Sequence, residues 1–298
     1  MSTFTANIDV SLAPKMREDL LQQGFTLSDA PYALFRAQKA GISCTLYESG
    51  KLVVQGKEMQ PFIEFYLEPE ILKEFRFSHP EAHLDLIPHI GLDEAGKGDF
   101  FGPLCIGAVY SNEEGIKNLQ QLGVKDSKRL SDETILKLAK KIRAAYPHRI
   151  IRLFPLKYNE LYARFHNLNR MLGWAHTAAL KDLSEQTGCR KAIVDQFAKK
   201  ELMHSALKQK HLDIDLEQRV GGESDLVVAA ASILARAGFV EGLELLGQEI
   251  EATLPKGASN GVVEEGTKLV RKYGPDILNK IAKIHFKTKN EILARISI

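Results

Sequence analysis

At 298 residues the chain exceeds the usual single domain of roughly 100 to 200 residues, so two packed units are expected. With 44% hydrophobic and 26% charged residues, the composition excludes a disordered chain. A formal net charge of +2 excludes a basic footprint over the whole molecule and leaves room only for local patches. Residues 1 to 80 hold 8 Lys plus Arg against 10 Asp plus Glu, so the mild positive excess lies later, where 32 face 28. No apolar run approaches the roughly 20 residues that cross a bilayer, and MSTFTANIDV lacks a basic segment leading into an apolar core. These features point to a cytoplasmic enzyme without a membrane segment. Cys44, Cys105 and Cys189 are odd in number and widely spaced, which supports neither a disulfide framework nor a zinc site; all three read as small core residues.

Residues 3 to 10 alternate like a strand, and APKMREDLLQQGF predicts a helix with Met16, Leu20 and Leu21 on one face, stopped by Gly24. Three β-prone runs follow, ALFRA, ISCTLY and KLVVQG, the last two joined by ESG as a hairpin turn. EMQPFIEFYL then resumes helical spacing. This small α+β unit spans residues 1–68. Residues 69–84, with two prolines and several charges, are the expected linker, although ILKEF could carry the helix past Pro69.

The second unit, residues 85–298, opens with IPHIGLDEAGKGDFFGPLCIGAVYS, two β-rich runs around a glycine-rich bend, and so predicts adjacent antiparallel strands. Ser131 is placed to cap a helix running to Tyr146, with Asp132 and Glu133 supplying first-turn negative charge. RIIRLFPL predicts a third strand. The stripe Leu172, Ala175, Ala179 and Leu183 predicts a helix from Asn169 to Gln186. AIVDQF and DIDLEQRV read as further strands, and a long helix is expected from about Asp225 to Leu254, ended at Pro255. This order of elements gives a mixed sheet covered by helices on both faces.

Four acids stand out by position. Asp93 and Glu94 follow the apolar run HIGL, and Asp195 follows KAIV, so three carboxylates fall in or at the ends of central strands, where unpaired charge is costly. Glu223 precedes the small-residue run VVAAASILAR, where it could equally be an N-terminal helix charge. Carboxylates gathered from distant segments are what a site for two divalent ions about 4 Å apart requires, and such a site suits phosphodiester hydrolysis. Gly96 and Gly98 around Lys97 would let backbone amides approach a ligand. Lys125, Lys128 and Arg129 around Ser127 could hold phosphates at a helix start or simply form a solvated cap. HNLNR places Asn167 and Asn169 beside Arg170 before a helix. His285 and Phe286 either support the site or pack, and Trp174 reads as core.

The string GLDEAGKGDFFGPL resembles the signature of the type 2 ribonucleases H, and the Lys97 form of its loop resembles the ribonuclease HIII branch. KDSKRLS (125–131), Asp195, AAASILAR (229–236) and KIHFKT (283–288) also match in the family's order. SGKLVVQG is similar to the family's amino-terminal substrate-binding domain, which has a TATA-binding-protein-like fold. The resemblance thus covers nearly the whole chain. It implies a ribonuclease H-like mixed five-stranded sheet with flanking helices behind a small α+β TATA-binding-protein-like domain.

The implied activity is two-metal hydrolysis of the RNA strand of RNA/DNA hybrids by a monomer, leaving 5′-phosphate and 3′-hydroxyl ends. The implied ligands of two Mg²⁺ or Mn²⁺ ions are Asp93, Glu94, Asp195 and Glu223. The fourth position is open between Glu223, six residues before Ala229, and Asp225, four before it. The glycine pair ahead of Glu223 resembles the turn before the family acid. The resemblance gives Gly96, Lys97 and Gly98 to the ribose 2′-OH, Lys125, Ser127 and Lys128 to phosphates, and Asn167, Asn169 and Arg170 to the minor groove or sugars. Rival readings are a junction resolvase or exonuclease on the same sheet, and a non-catalytic nucleic-acid-binding protein.

Overall fold

The computed structural model describes residues 3–73, 84–125, 127–198 and 200–296, without the side chains of Arg129 and Lys200. The chain divides into two compact units, residues 1–84 and 85–298. Within the expected linker, residues 74–83 lie outside the described residues, and the preceding helix runs past Pro69 to Leu72.

The small unit runs β1 (Thr3–Asn7), α1 (Ala13–Gln22), β2 (Thr26–Ser28), β3 (Ala33–Lys39), β4 (Ile42–Tyr47), β5 (Lys51–Gly56) and α2 (Met59–Phe62), which widens into a π-helix over Ile63–Leu72. Pro69 has no N–H to donate, and the widened turns accommodate it. The antiparallel sheet has the order β1-β5-β4-β3-β2. Strand alternation sends Phe35, Cys44, Leu46, Leu52 and Val54 into a core with Met16, Leu20, Phe62 and Leu67 of the helices. The opposite face aligns Thr3, Gln55, Ser43, Gln38 and Thr26 in one cross-strand row, and Thr5, Val53, Thr45, Arg36 and Ser28 in the next. Neither row contains a carboxylate. β2 has no counterpart among the strands expected from sequence, because three residues are too short to show a period.

The large unit holds β6 (His89–Ala95), β7 (Leu104–Ser111), α3 (Glu113–Gln121), α4 (Asp132–Ala145), β8 (His148–Leu153), α5 (Pro155–Phe165), α6 (Leu168–Thr187), β9 (Lys191–Asp195), α7 (Lys200–Gln209), β10 (Asp215–Arg219), α8 (Leu226–Glu249), α9 (Asn260–Tyr273), α10 (Ile277–Ile281) and α11 (Lys287–Ala294). Its sheet has the order β10-β9-β6-β7-β8; the β10–β9 and β9–β6 pairs are parallel, and the other two pairs antiparallel. This is the mixed five-stranded sheet expected. Ser131 caps α4 by accepting from the Thr134 N–H. On one face Ile90, Leu92 and Ile106 pack with Met171, Leu172, Ala175 and Ala179 of α6. On the other, Val109 packs with Ala230, Ala231 and Ile233 of α8 and with Ile135 and Ala139 of α4.

Two expectations are corrected. α8 ends at Glu249 instead of continuing to Leu254, because Glu251 turns left-handed (φ 51°) and the Ala252 N–H closes back on the Gly247 carbonyl at 2.9 Å. α8 is also, at 24 residues, long and apolar enough to cross a membrane, contrary to the expectation that no run approaches that length. Most of it is buried inside the protein: it is the central core helix, apolar all round because sheet and helices cover it.

Glycines bring α8 unusually close to the sheet. A Cβ on Gly91 would lie 2.4 Å from the Val227 carbonyl carbon, and one on Gly107 would lie 2.1 Å from the Ala231 carbonyl oxygen. Both obstructing atoms are backbone, which cannot swing aside. Gly91→Ala is therefore expected to lower stability by about 1–3 kcal/mol. The check is a urea midpoint that falls with an unchanged m-value; an unaltered midpoint refutes the close packing.

Candidate active site

Asp93 and Glu94 occupy the end of β6, and Asp195 closes β9, its parallel neighbour. The last paired residues are Leu92 and Val194, so the next step along both strands sets Asp93 beside Asp195. In open sheets, ligands bind outside such carboxyl ends. Because successive strand residues face opposite ways, Asp93 turns toward α8, where it meets the Ser232 hydroxyl, and Glu94 turns toward α6, where its Oε2 lies 3.1 Å from His176 Nε2. The Glu94 main-chain N–H donates to Asp93 Oδ1 at 2.8 Å. Asp195 Oδ1 accepts from the Gly222 N–H at 2.8 Å, which draws the turn carrying Glu223 against the end of β9. Gly222 is required there, since a Cβ would come within 2.9 Å of Asp195 Cα.

The two candidates for the fourth acid differ sharply in setting. Asp225 is the cap of α8: its Oδ1 accepts from the Val227 and Val228 N–H groups and lies 3.0 Å from His89 Nε2, all in the interior. Glu223 is half-buried, with Oε1 3.3 Å from Lys128 Nζ. Asp85, His89 and Asp225 each bring a ligand atom within 4.8 Å of the others, the one such trio among the described residues, and it is not the four acids expected from sequence. Its charge is already met. Asp85 pairs with Lys191 and Arg219, while burial opposes charge on His89 but the hydrogen bond to Asp225 prevails and raises its pKa. Glu94 is met by His176 and Lys97, and Glu223 by Lys128.

Gly96 is left-handed (φ 87°), and a Cβ on it would lie 2.3 Å from the Pro103 carbonyl oxygen, so the two arms of the loop touch. Gly98 faces open space. Lys97 Nζ is 3.4 Å from Glu94 Oε1 and sits over the Phe197 ring. Lys125 and Lys128 are exposed, but Ser127 is buried with its hydroxyl 2.7 Å from that of Ser232. Asn167 is the cap of α6, accepting from the Arg170 N–H at 3.0 Å, beside half-buried Asn169 and exposed Arg170.

Comparison with known proteins now gives the family. Residues 90–289, which contain all four acids, match the family described as Ribonuclease HII, and residues 5–77 match a domain of unknown function. The Ribonuclease HIII of Protochlamydia amoebophila is 53% identical over 98% of this chain and 97% of its own length, and that of Chlamydia felis is 47% identical over 98% of each. The chain belongs to the ribonuclease HIII family. The crystal structure of Bst-RNase HIII in complex with Mn²⁺ matches it with a TM-score of 0.69 at 29% identity, covering 99% of both chains. Aquifex aeolicus RNase H3 matches with a TM-score of 0.57 at 26% identity over 95% of this chain and 99% of its own. The chain is a ribonuclease H, an endonuclease of the hydrolase class, and this activity implies an RNA/DNA hybrid as substrate.

In this ribonuclease HIII two residues not singled out by sequence support the acids. Fully buried His176 donates from Nε2 to Glu94, stacks on Phe197 at 4.8 Å, and leaves Nδ1 without a partner among the described residues. Ser232 joins Asp93 to Ser127, and Arg236, one helical turn on, donates to the Ser127 carbonyl and to Asp132. The one available sequence signal was a lone His on the apolar stripe of α6, which core packing explains equally well.

The donor set is oxygen only and crowded, as a hard divalent ion prefers. Burial, reinforced by Glu94 and to a lesser degree by Asp195, pushes the Asp93 carboxyl up to about 7. Burial acts on Glu94 in the same direction, but His176 and Lys97 overcome it and hold that carboxyl below its usual value. An unfolded Asp93 ionises near pH 4, whereas the folded one keeps its proton to about 7, so its contribution falls as pH rises between those values. In chelator, Asp93→Asn should therefore match the parent at pH 4 and exceed it at pH 8 by about 1–2 kcal/mol, discounted because Asp93 is half-buried. Urea unfolding at the two pH values is the measurement; a difference of equal size at both removes the crowding.

Proposed function

We propose that Asp93, Glu94, Asp195 and Glu223 are the catalytic metal ligands, holding two Mg²⁺ or Mn²⁺ ions, and that the enzyme cuts the RNA strand of RNA/DNA hybrids to leave 5′-phosphate and 3′-hydroxyl ends. The observation that carries this reading is the meeting of Asp93 and Asp195 at adjacent strand ends, with the Glu223 turn tied to Asp195 through Gly222. The Mn²⁺ bound by the related Bst enzyme supports the choice of ion. Ions bound there would supply an activated water and neutralise charge on the phosphate. Glu223 suits the fourth place because Asp225 is committed to the α8 cap and His89.

The chain's other groups bind and orient. Amides of the Gly96–Gly98 loop meet ribose 2′-hydroxyls, with open space at Gly98 for close approach. Lys97, Lys125 and Lys128 meet phosphates, and Asn169 and Arg170 contact the minor groove. Ser127 and Asn167 act one step back, by fixing the loop against Ser232 and the start of α6.

Residues 1–68 with the helix that continues to Leu72 form the substrate-binding domain, the following stretch to residue 84 the linker, and 85–298 the catalytic domain. The small sheet's carboxylate-free face, lined by hydroxyl and amide groups with Arg36 and Lys51, suits a phosphate backbone, which repels acids and accepts hydrogen bonds. One chain carries all four acids, so a monomer suffices, and three free cysteines suit the cytoplasm.

Asp195→Asn is expected to cut turnover by at least about 100-fold, since even outer-sphere changes at metal sites cost 10- to 100-fold. Hybrid affinity should be largely retained. Turnover equal to the parent's contradicts the ligand assignment, and preference for a DNA duplex over the hybrid contradicts the substrate. Removal of residues 1–84 should weaken hybrid binding while leaving some cleavage, and should flatten the dependence of log affinity on log salt by about 0.7–0.9 for each phosphate that the protein no longer neutralises. An unchanged slope and affinity would take the grip away from the small domain.

A further inference from the structure

Lys283 lies between α10 and α11 with no exposed surface. A lysine amine is rarely tolerated there without full hydrogen bonding. Its Nζ donates to three main-chain carbonyls, Asp99 at 2.8 Å, Gly102 at 2.7 Å and Phe101 at 3.3 Å. An ammonium has three N–H donors and no acceptor, so these carbonyls use it completely. Burial lowers the pKa of this amine to about 7, against the smaller opposing pull of the nearby Asp99 carboxylate.

The contact belongs to a wider clamp. The Lys283 N–H donates to the Phe100 carbonyl at 2.8 Å, and the Gly102 N–H to the Ile281 carbonyl at 3.0 Å. Asn159 on α5 straddles the lysine: its Nδ2 donates to the Ala282 carbonyl at 2.9 Å, and its Oδ1 accepts from the Ile284 N–H at 3.1 Å. From the other side, the Gly257 N–H donates to Asp99 Oδ1 at 2.6 Å. The clamped residues form the returning arm of the Gly96–Gly98 loop. Since Gly96 already abuts Pro103, displacement of Phe101 and Gly102 displaces the loop's leading arm too.

We propose that Lys283 is a positioning residue for the cleavage reaction: by holding the carbonyls of Asp99, Phe101 and Gly102 it sets the shape in which the Gly96–Gly98 loop is presented to the RNA ribose. This rests on the reading that the loop contacts substrate. Loss of the amine would leave three buried carbonyls without their donor, a cost that falls on the backbone of this loop. The amine completes three main-chain acceptors on one side of a loop that has open space on the other.

The test compares kcat and KM on an RNA/DNA hybrid at saturating Mg²⁺ for the full-length parent, Lys283→Met, Lys283→Gln and Gly98→Ala, with folding checked by circular dichroism. Lys283→Met should raise KM about tenfold, as expected when buried acceptors lose their donor, with kcat changed less than about twofold. Lys283→Gln, with two N–H donors, should fall between Met and the parent. Gly98→Ala should raise KM without Lys283 being touched. If Gly98→Ala raises KM while folded Lys283→Met does not, the positioning role is overturned and the loop reading stands. If neither variant raises KM, both are overturned. Should Lys283→Met not fold, Asn159→Ala decides: a smaller rise in KM sustains the proposal, and an unchanged KM overturns it.

Discussion

The contact of α8 with the floor of the sheet is the constraint on which the rest of the large unit depends. Gly91 and Gly107 present bare backbone to Val227 and Ala231, so the helix lies on β6 and β7 without side chains between them. That approach places Ser232 against Asp93, and it fixes where the helix must begin. Asp225 closes the start by capping Val227 and Val228, and Glu223, two residues earlier, is left at the end of β9. The same glycines that bring the helix close thus bring together acids more than a hundred positions apart in the chain.

Crowded carboxylates work against folding, and the structure offsets part of that cost with hydrogen-bond donors set one step away. Glu94 has His176 and Lys97, and Glu223 has Lys128. Asp93 has no cation among its hydrogen-bond partners and holds its proton to near neutrality. This imbalance is what a binding site for divalent ions looks like from the side of the protein: charge left incompletely answered by the chain itself.

Much of this was legible in the sequence because it is local. An acid that follows an apolar strand run, a glycine pair around a lysine and a serine before two acids each carry their meaning in a few residues, and Asp93, Glu94, Asp195 and Ser131 were found that way. His176 was not, because on a stripe with Leu172, Ala179 and Leu183 it is indistinguishable from a packed core residue until Glu94 is seen across from it. Helices α3, α5 and α7 and those beyond Pro255 have no counterpart in the sequence reading, although α3 and α9 bury one face at helical spacing, Ile116 and Leu119 in the first and Val262, Val263, Leu269 and Val270 in the second. Glu223 and Asp225 could not be separated by spacing, since only the folded turn shows which one caps the helix.

The bond from Lys283 to Asp99 joins residues 184 positions apart. A ribosome delivers the first of these long before the second, so during synthesis the strand acids emerge beside a loop whose buckle has not yet been made. An emerging polypeptide therefore carries this loop with three main-chain carbonyls still open to water, and the loop takes its set shape only once Lys283 has followed. The shape of a loop near the strand acids is thus set by a side chain delivered from a distant part of the same polypeptide.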